Sequence, residues 1–378
     1  MNFELDQDQQ MLADSVRRYL AEQYDFEARR KIIASDEGYS AQAWQDFADT
    51  GLFGLAFTPE QGGFGGTAVG LMSVMEAFGE ALVVEPLLPT ILASRLVANH
   101  GTAEQQAAVI APTIAGDLKM ALAHTEATAR FNVSHVQTRA ERNGDGWRLS
   151  GGKQVVYGGP MADKFLISAR TAGDTNATQG ISLFLVDASA PGLSATSYRT
   201  LDNQRASDLK FDGLELGAHA LVGAEGGAYE AIQETIDFAL AMLCSEAVGA
   251  VRSANADTLE YIKTRKQFGQ TLGSFQALQH RMVDMFITHE QLSSMQYLVC
   301  SRLDSLQDAT ERSRVASAAK IKTADSCRQI SQESVQLHGG MGMTEELKVS
   351  HTFRRLTIIA QQFGDADYHL QRFATLGG

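Results

Sequence analysis

The stretch Glu260–Phe286, EYIKTRKQFGQTLGSFQALQHRMVDMF, decides how the chain is read, because it joins two long helical patterns through one turn that is both basic and glycine-bearing. Upstream, from about Tyr229 to Thr264, Ile232, Ile236, Leu240, Leu243, Val248, Val251, Leu259 and Ile262 recur at steps of three and four with no proline between them. That period predicts an amphipathic helix long enough to cross a domain. Downstream, Leu278, Met282, Met285, Phe286 and Leu292 repeat it, so Lys266–Ser274, with Gly269 and Gly273, is the connection. Arg265, Lys266, Phe268 and Gln276 therefore gather at one helix–helix corner. Two readings of the corner stay open. It is a solvated basic turn with Phe268 as a plug, or it is a phosphate site, where arginine offers a planar fork of donors to pyrophosphate oxygens and the aromatic lies against a nucleotide.

Working outward, 378 residues at 44% apolar content can bury a large core, and the length points to two or three domains. A formal net charge of −13 argues against nucleic acid as a partner, since backbone phosphates would be repelled. Cys244, Cys300 and Cys327 stand alone within apolar helical patterns, with no spacing that suggests zinc or a disulfide framework, so a reducing cytoplasm is the expected home. No opening segment has the form of a signal peptide, and no run of about 18 uncharged apolar residues exists to span a bilayer. Neither a membrane partner nor a metal is expected.

From Asp6 to about His124 the periodicity is helical, broken at Thr58-Pro59, Gly62 to Gly66, Pro86, Pro89 and Gly101-Thr102, which gives four to six helices. Gly63-Phe64-Gly65-Gly66-Thr67-Ala68 has the G-x-G-x-x-A form of a dinucleotide fingerprint, but Thr58-Pro59-Glu60-Gln61 before it is a turn and not the end of a buried strand, so a Rossmann site is set aside. Near Leu118 the period changes to two. Leu118 to His124, Val136 to Glu141, Trp147 to Leu149, Lys153 to Val156, Phe165 to Ala169, Ile181 to Val186 and Leu209 to Leu216 read as short strands, divided by turns such as Asn143-Gly144-Asp145-Gly146. Strands this short and regularly spaced suggest an antiparallel barrel. From Tyr229 onward the chain is helical again, with Gly339 to Gly342 as its main internal break. The expected division is 1–117 helical, 118–226 β and 227–378 helical.

Two motifs carry a resemblance. Arg265-Lys266-Gln267-Phe268-Gly269 followed by Gly273-Ser274-Phe275-Gln276-Ala277-Leu278-Gln279-His280 is similar to a signature of the acyl-CoA dehydrogenases, flavin enzymes that desaturate acyl-CoA thioesters, and Gln336-Leu337-His338-Gly339-Gly340-Met341-Gly342 is similar to that family's Q-x-x-G-G-x-G cofactor turn. FELDQDQQMLADSVRRYL and GLFGLAFTPEQGGFGG also match the family's opening pattern, so the resemblance covers essentially the whole chain. It implies an α+β multi-domain fold: an N-terminal helical domain, a central antiparallel β-barrel and a C-terminal four-helix bundle. It implies FAD held in extended form between the β domain and the bundle, its ADP half reaching into a neighbouring subunit. Carried over by motif, Arg265 and Phe268 meet the pyrophosphate and adenine region, Gln276 the pyrophosphate, and Gln336, Gly339 and Gly340 the adenosine edge. Glycines there let backbone approach a nucleotide closely. Read without the resemblance, the Gly339-Gly340 turn is equally a helix C-cap.

The flavin-ring side departs from the family. Where its members read T-E-P-x-A-G-S-D, this chain has Thr125-Glu126-Ala127-Thr128-Ala129-Arg130-Phe131-Asn132, keeping Thr-Glu and losing the proline, the glycine and the serine. Val155-Val156-Tyr157 stands where Trp-x-Thr covers the ring; Tyr157 either offers a hydroxyl to the flavin or is a barrel-surface tyrosine. Desaturation also needs a carboxylate, desolvated and pre-oriented, to draw the proton beside the thioester carbonyl. The family's usual glutamate falls on Phe363, and its alternative position falls on Ala239. Asp237, Glu246 and Asp365 are the carboxylates nearby, and Glu246, alone in an apolar helical stretch, is either a relocated base or a satisfied structural acid.

The catalytic residue is therefore left open. The leading expectation is one subunit of a heteromeric acyl-CoA dehydrogenase, similar to the small subunits of bacterial enzymes for pimeloyl-CoA-like dicarboxylyl or steroid-type substrates. It would supply the ADP-binding half of the FAD site to a homologous partner, with an acyl-CoA substrate, an electron-transferring flavoprotein as acceptor and a homo- or hetero-tetrameric assembly. The alternatives are a self-sufficient homotetramer using Glu246 or Asp365, and a catalytically silent subunit that binds flavin or CoA.

Overall fold

The computed structural model describes residues 7–377; Phe3–Asp6, which open the first family-like motif, lie outside them. Six helices come first: α1 (Gln7–Gln23), α2 (Phe26–Ala34), α3 (Ala41–Asp49), α4 (Ala68–Ala81), α5 (Leu87–His100) and α6 (Ala103–Ile114). Their starts are legible locally. Ser40 accepts the Ala43 N–H at the head of α3, and Thr102 and Gln105 form a reciprocal capping box at the head of α6. The glycines of Gly63–Gly66 serve their own turn: a Cβ at Gly63 would lie 2.4 Å from the Phe57 carbonyl oxygen, and one at Gly65 2.4 Å from that of Leu55. The segment before them is a short 3-10 turn, Pro59–Gln61, and not a strand.

Eight strands follow: β1 (Met120–Ala123), β2 (Arg139–Asn143), β3 (Gly146–Tyr157), β4 (Lys164–Arg170), β5 (Ile181–Asp187), β6 (Leu193–Arg199), β7 (Arg205–Leu216) and β8 (Leu221–Val222). They form one sheet in the order β6-β7-β3-β2-β4-β5-β8, with β1 added beside β4. This differs from the expected antiparallel barrel in two respects. The pairings of β4 with β1 and with β2 are parallel, and the path has two ends, β6 and β8, with no pairing between them among the described residues. The two segments read as separate strands, Trp147 to Leu149 and Lys153 to Val156, are one long strand whose register against β7 shifts at each of these places. The bulges hide its continuity, because each resets the alternation. One face carries a core of Trp147, Leu149, Val156, Phe165, Ile167, Phe184, Leu209, Phe211 and Leu214.

The rest is helical: α7 (Tyr229–Thr264), a two-stranded turn of β9 (Lys266–Gln267) and β10 (Gln270–Thr271), then α8 (Gln276–Ser305), α9 (Ala309–His338), α10 (Lys348–Gln361) and α11 (Ala366–Leu376). The expected helix over Tyr229 to Thr264 and the connection over Lys266 to Ser274 are both found. By contacts the chain forms two units. One holds the described residues up to Lys31, Ala68–Val83 and everything from Asp237; the other holds Ile32–Thr67 and Val84–Ile236. The opening helices are thus shared out, α1 and α4 with the C-terminal helices, α3, α5 and α6 with the sheet. In the first unit α9 packs against α8, α10 and α11. There α4 and α7 meet backbone to backbone. A Cβ on Gly79 would lie 1.9 Å from the Glu246 carbonyl oxygen and one on Gly249 1.8 Å from that of Glu76, so only glycine fits at either crossing position.

Candidate functional site

The helical unit brings its two motifs together. α7 ends one residue before Arg265, whose N–H donates to the Tyr261 carbonyl, and α9 ends at His338, immediately before Gly339. The Tyr261 and His338 rings stack with centroids 4.3 Å apart and planes 28° from parallel. Beyond that contact both turns stand open. Arg265, Gln276, Gln336, Gly339 and Gly340 are all exposed, and Phe268 is 89% exposed at the tip of the β9–β10 turn with φ of 54°. A Cβ at Gly269, Gly339 or Gly340 would meet nothing within 4 Å.

Phe268 is therefore no plug, and its left-handed backbone is a strained choice for a bulky residue. Gly339 does cap α9, with φ of 60° and its N–H donating to the Gln336 carbonyl, so the glycine motif forms the end of that helix. The side chains of Arg265, Gln276 and Gln336 have no hydrogen-bond or ion-pair partner among the described residues. An unengaged guanidinium, two unengaged amides and an uncovered glycine turn form a donor set that fits anionic oxygens and a nucleoside edge.

On the sheet unit, Glu126 is not a solvent-facing loop residue. Its carboxylate accepts the N–H groups of Gln137 (2.6 Å) and Thr138 (3.0 Å) and pairs with Lys153 at 2.7 Å, both side chains buried. Lys153 also donates to the Ser168 hydroxyl at 3.0 Å, and burial pushes its ammonium down to about 8 against the pull of Glu126. This pair ties the loop after β1 to β3. Thr125 is half-buried; its hydroxyl lies 3.3 Å from His124 Nε2, and its carbonyl accepts the Gln154 N–H. Burial pushes His124 down to about 4, so that ring is neutral. Arg130 stands where the family pattern has glycine and has a left-handed φ of 51°. Val155, at the tryptophan's place, also has φ of 51°, held by its N–H donating to Asp208 Oδ1 at 3.0 Å, with the Tyr198 hydroxyl donating to the same oxygen at 2.9 Å. Tyr157 is half-buried two residues on. Two non-glycine residues thus hold left-handed backbone on this side, and the polar groups of Glu126 and Lys153 are spent on the fold.

The carboxylates named as spare bases are engaged. Glu246 is 5% exposed and forms a two-point ion pair with Arg355, at 2.5 Å to Nε and 2.7 Å to Nη2. That geometry supports the second of its two readings, a satisfied structural acid. Asp237 accepts from Ser313 at 2.6 Å and pairs with Arg372 at 2.7 Å, and Asp365 caps α11 by accepting the Tyr368 N–H at 2.8 Å. Phe363 occupies the glutamate's position with φ of 58°, its carbonyl facing His369 Nε2 at 3.0 Å, and Ala239 is fully buried. Sequence reading missed Lys320, fully buried, whose ammonium donates to the Ile359 carbonyl in the last turn of α10 just before Phe363. Burial lowers it to about 7. A lysine inside an otherwise ordinary helical pattern gave no signal.

Comparison with known proteins gives the family. Models of the acyl-CoA dehydrogenase N-terminal, middle and C-terminal domains match residues 6–117, 121–214 and 226–375. The chain belongs to the acyl-CoA dehydrogenase family, FAD-dependent oxidoreductases that act on the CH–CH bond of acyl-CoA thioesters. It is 30% identical to acyl-CoA dehydrogenase fadE12 of Mycobacterium tuberculosis, over 85% of this chain and 84% of that one. It is 29% identical to the caffeyl-CoA reductase-Etf complex subunit CarC of Acetobacterium woodii, over 81% and 82%. Among solved structures a variant of the Tcur3481-Tcur3483 steroid ACAD superposes with a TM-score of 0.87 at 30% identity, covering 99% of this chain and 98% of that one. No described helix is long and apolar enough to cross a membrane.

Proposed function

We propose that this chain is one subunit of a heteromeric acyl-CoA dehydrogenase, in which it supplies the ADP-binding half of the FAD site while a homologous partner carries the flavin ring and the base. The observation that carries the proposal is an asymmetry. Arg265, Phe268, Gln276, Gln336, Gly339 and Gly340 are present and exposed, and the side chains of Arg265, Gln276 and Gln336 have no hydrogen-bond or ion-pair partner among the described residues, whereas phenylalanine and alanine stand at the two base positions and Glu246 is locked to Arg355. FAD, when bound, accepts the hydride; Arg265 and Gln276 would hold its pyrophosphate, Gln336 and the Gly339-Gly340 backbone its adenosine, and Thr125 and Tyr157 mark the reduced ring side of this chain.

The substrate class is a bulky acyl-CoA of the steroid or dicarboxylyl type, the acceptor an electron-transferring flavoprotein, and the setting cytoplasmic. The division is 1–117, 118–226 and 227–378, with the sheet completed as the family's barrel and α7 to α10 as its four-helix bundle. Co-expression with the neighbouring reading frame, native mass measurement and flavin stoichiometry test the proposal. The expected product is a mixed tetramer holding roughly two flavins. A fully active homotetramer with roughly four flavins would remove the division of labour, and a monomer would remove the assembly.

A further inference from the structure

The ADP-half reading leaves one contact unassigned, the stack of Tyr261 on His338, and the inference drawn from it rests on that reading. Tyr261 precedes Arg265 by one helical turn, and His338 is the residue before Gly339. The contact therefore joins the last turns of α7 and α9, and each of these ends on one of the two motifs. Past it the connection is held by its own backbone, the β9–β10 pairing and the Leu272 N–H donated to the Arg265 carbonyl, while its side chains face outward. Lys263 to Gln270 are exposed without a break, and so are Gly339 to Met341.

His338 itself is fixed. It is 6% exposed, and its Nδ1 lies 2.8 Å from the Ser334 carbonyl oxygen, which places the ring proton on Nδ1. Burial lowers its affinity for a second proton, with Asp257 opposing. The glycine turn then folds back over this residue. A Cβ at Gly342 would lie 3.0 Å from the His338 Cβ and 2.8 Å from the Val335 carbonyl oxygen. The backbone of α9 and the His338 Cβ thus leave no room for a side chain at Gly342, and the ring that lies on the His338 imidazole belongs to Tyr261, one turn before Arg265.

We infer that Tyr261 and His338 are positioning residues for the ADP half of the cofactor: their stack fixes the separation between the guanidinium that grips the diphosphate and the glycine turn that receives the adenosine. Neither ring needs to touch the nucleotide. A ligand that spans both motifs depends on their spacing, and a ligand that reaches only one does not.

That distinction supplies the experiment. ADP, adenosine and inorganic pyrophosphate are titrated calorimetrically into the purified full chain and into Tyr261→Phe, Tyr261→Leu, His338→Leu and Arg265→Ala. The expected result is a loss of at least tenfold in ADP affinity for Tyr261→Leu and His338→Leu, with adenosine and pyrophosphate changed less than twofold. Tyr261→Phe, which keeps the ring, should bind ADP like the wild type. If Tyr261→Leu binds ADP like the wild type while Arg265→Ala weakens it, the positioning role is overturned and the ADP-half reading stands. Equal losses for all three ligands would mean local collapse, which also overturns it. If the wild-type chain binds ADP no more tightly than Arg265→Ala does, the ADP-half reading falls and the inference falls with it.

Discussion

The helix-end corner and the interior of the same helical unit treat their polar groups in opposite ways. At the corner Arg265, Gln276 and Gln336 point at no protein partner, and three glycines leave open space around them. Inside, Glu246 is gripped by Arg355, Asp237 by Arg372 and Ser313, Glu76 by Arg252 and Gln296, and the Lys320 ammonium by the Ile359 carbonyl. A buried ionisable group survives only when it is paired and hydrogen-bonded, so the interior set is what the fold itself requires. An exposed set that forgoes every local partner has its complement elsewhere. The difference separates Glu246, bound into the scaffold, from Arg265, which the proposed function gives to the cofactor, although both are charged residues of α7 or its immediate end.

The strongest attempt to break this contrast is Glu246→Ala. Removing one member of a buried ion pair strands the other, and a loss of about 3–5 kcal/mol in folding stability is expected. Denaturant unfolding of the purified chain measures it. A variant as stable as the wild type that lost only turnover would move Glu246 back among the candidate bases.

Lys320 sharpens the contrast through pH. An unfolded lysine keeps its proton to its ordinary value of 10.5, whereas folded Lys320 gives it up at about 7. Between those values the unfolded chain binds a proton that the folded chain does not, so this residue's contribution makes stability rise with pH. The groups around it are Cys327, Cys244, Arg355 and Asp365, and the thiols of Cys244 and Cys327 are pushed up to about 11 and about 12. Those thiols oppose the rise once unfolded cysteine ionises, and Lys153, lowered to about 8, adds a rise of the same sign, so the Lys320 contribution is read between about pH 7 and 8.5 as the difference between variant and wild type. Lys320→Met should lose about 1–3 kcal/mol through the orphaned Ile359 carbonyl and should make the rise in that window shallower, leaving the share that Lys153 contributes. Parallel unfolding curves for variant and wild type across it would exclude Lys320 as the titrating group.

How much of this was legible beforehand follows the same division. Tyr229 to Thr264 announced itself because its apolar residues hold one period without a break, and the open corner announced itself because its glycines and its arginine sit in a fixed order. Strand β6 was missed. Leu193–Arg199 is mostly exposed, so Ser194, Ala195, Thr196 and Ser197 carry no alternation. The pairing of Glu246 with Arg355 was not visible because it joins α7 to α10, and a lone acid in an apolar helix gives no sign of where its partner lies. The left-handed backbone at Arg130 and Val155 was hidden for a third reason. Neither is glycine, and the hydrogen bond that holds Val155 comes from Asp208 on another strand.

Arg265→Ala tests the other side of the comparison. ADP or FAD affinity should fall about tenfold or more, since a charge-assisted two-point contact is lost. The melting temperature without cofactor should stay put, because an exposed side chain with no partner adds little to the fold. A variant that unfolded earlier while binding FAD normally would reverse both assignments.

The smallest expected effect belongs to Phe268, and it separates the two original readings of the turn. A plug buries its ring, and truncating a buried phenylalanine costs about 3–5 kcal/mol. Phe268 is 89% exposed, and its ring meets Phe275 edge-on with centroids 6.3 Å apart. Phe268→Ala should therefore leave cofactor-free stability within about 0.5 kcal/mol of the wild type. The backbone gives no relief either way, since alanine at a φ of 54° is strained as phenylalanine is. What changes is the surface offered to a nucleotide. An aromatic face is worth about 0.5–1.5 kcal/mol beyond its buried area, so FAD retention by the assembled protein should fall by roughly two- to tenfold. Melting curves and flavin fluorescence after gel filtration read the two quantities separately. A fall in melting temperature with retention unchanged would return Phe268 to the fold, whereas unchanged melting with weakened retention places the ring with the cofactor.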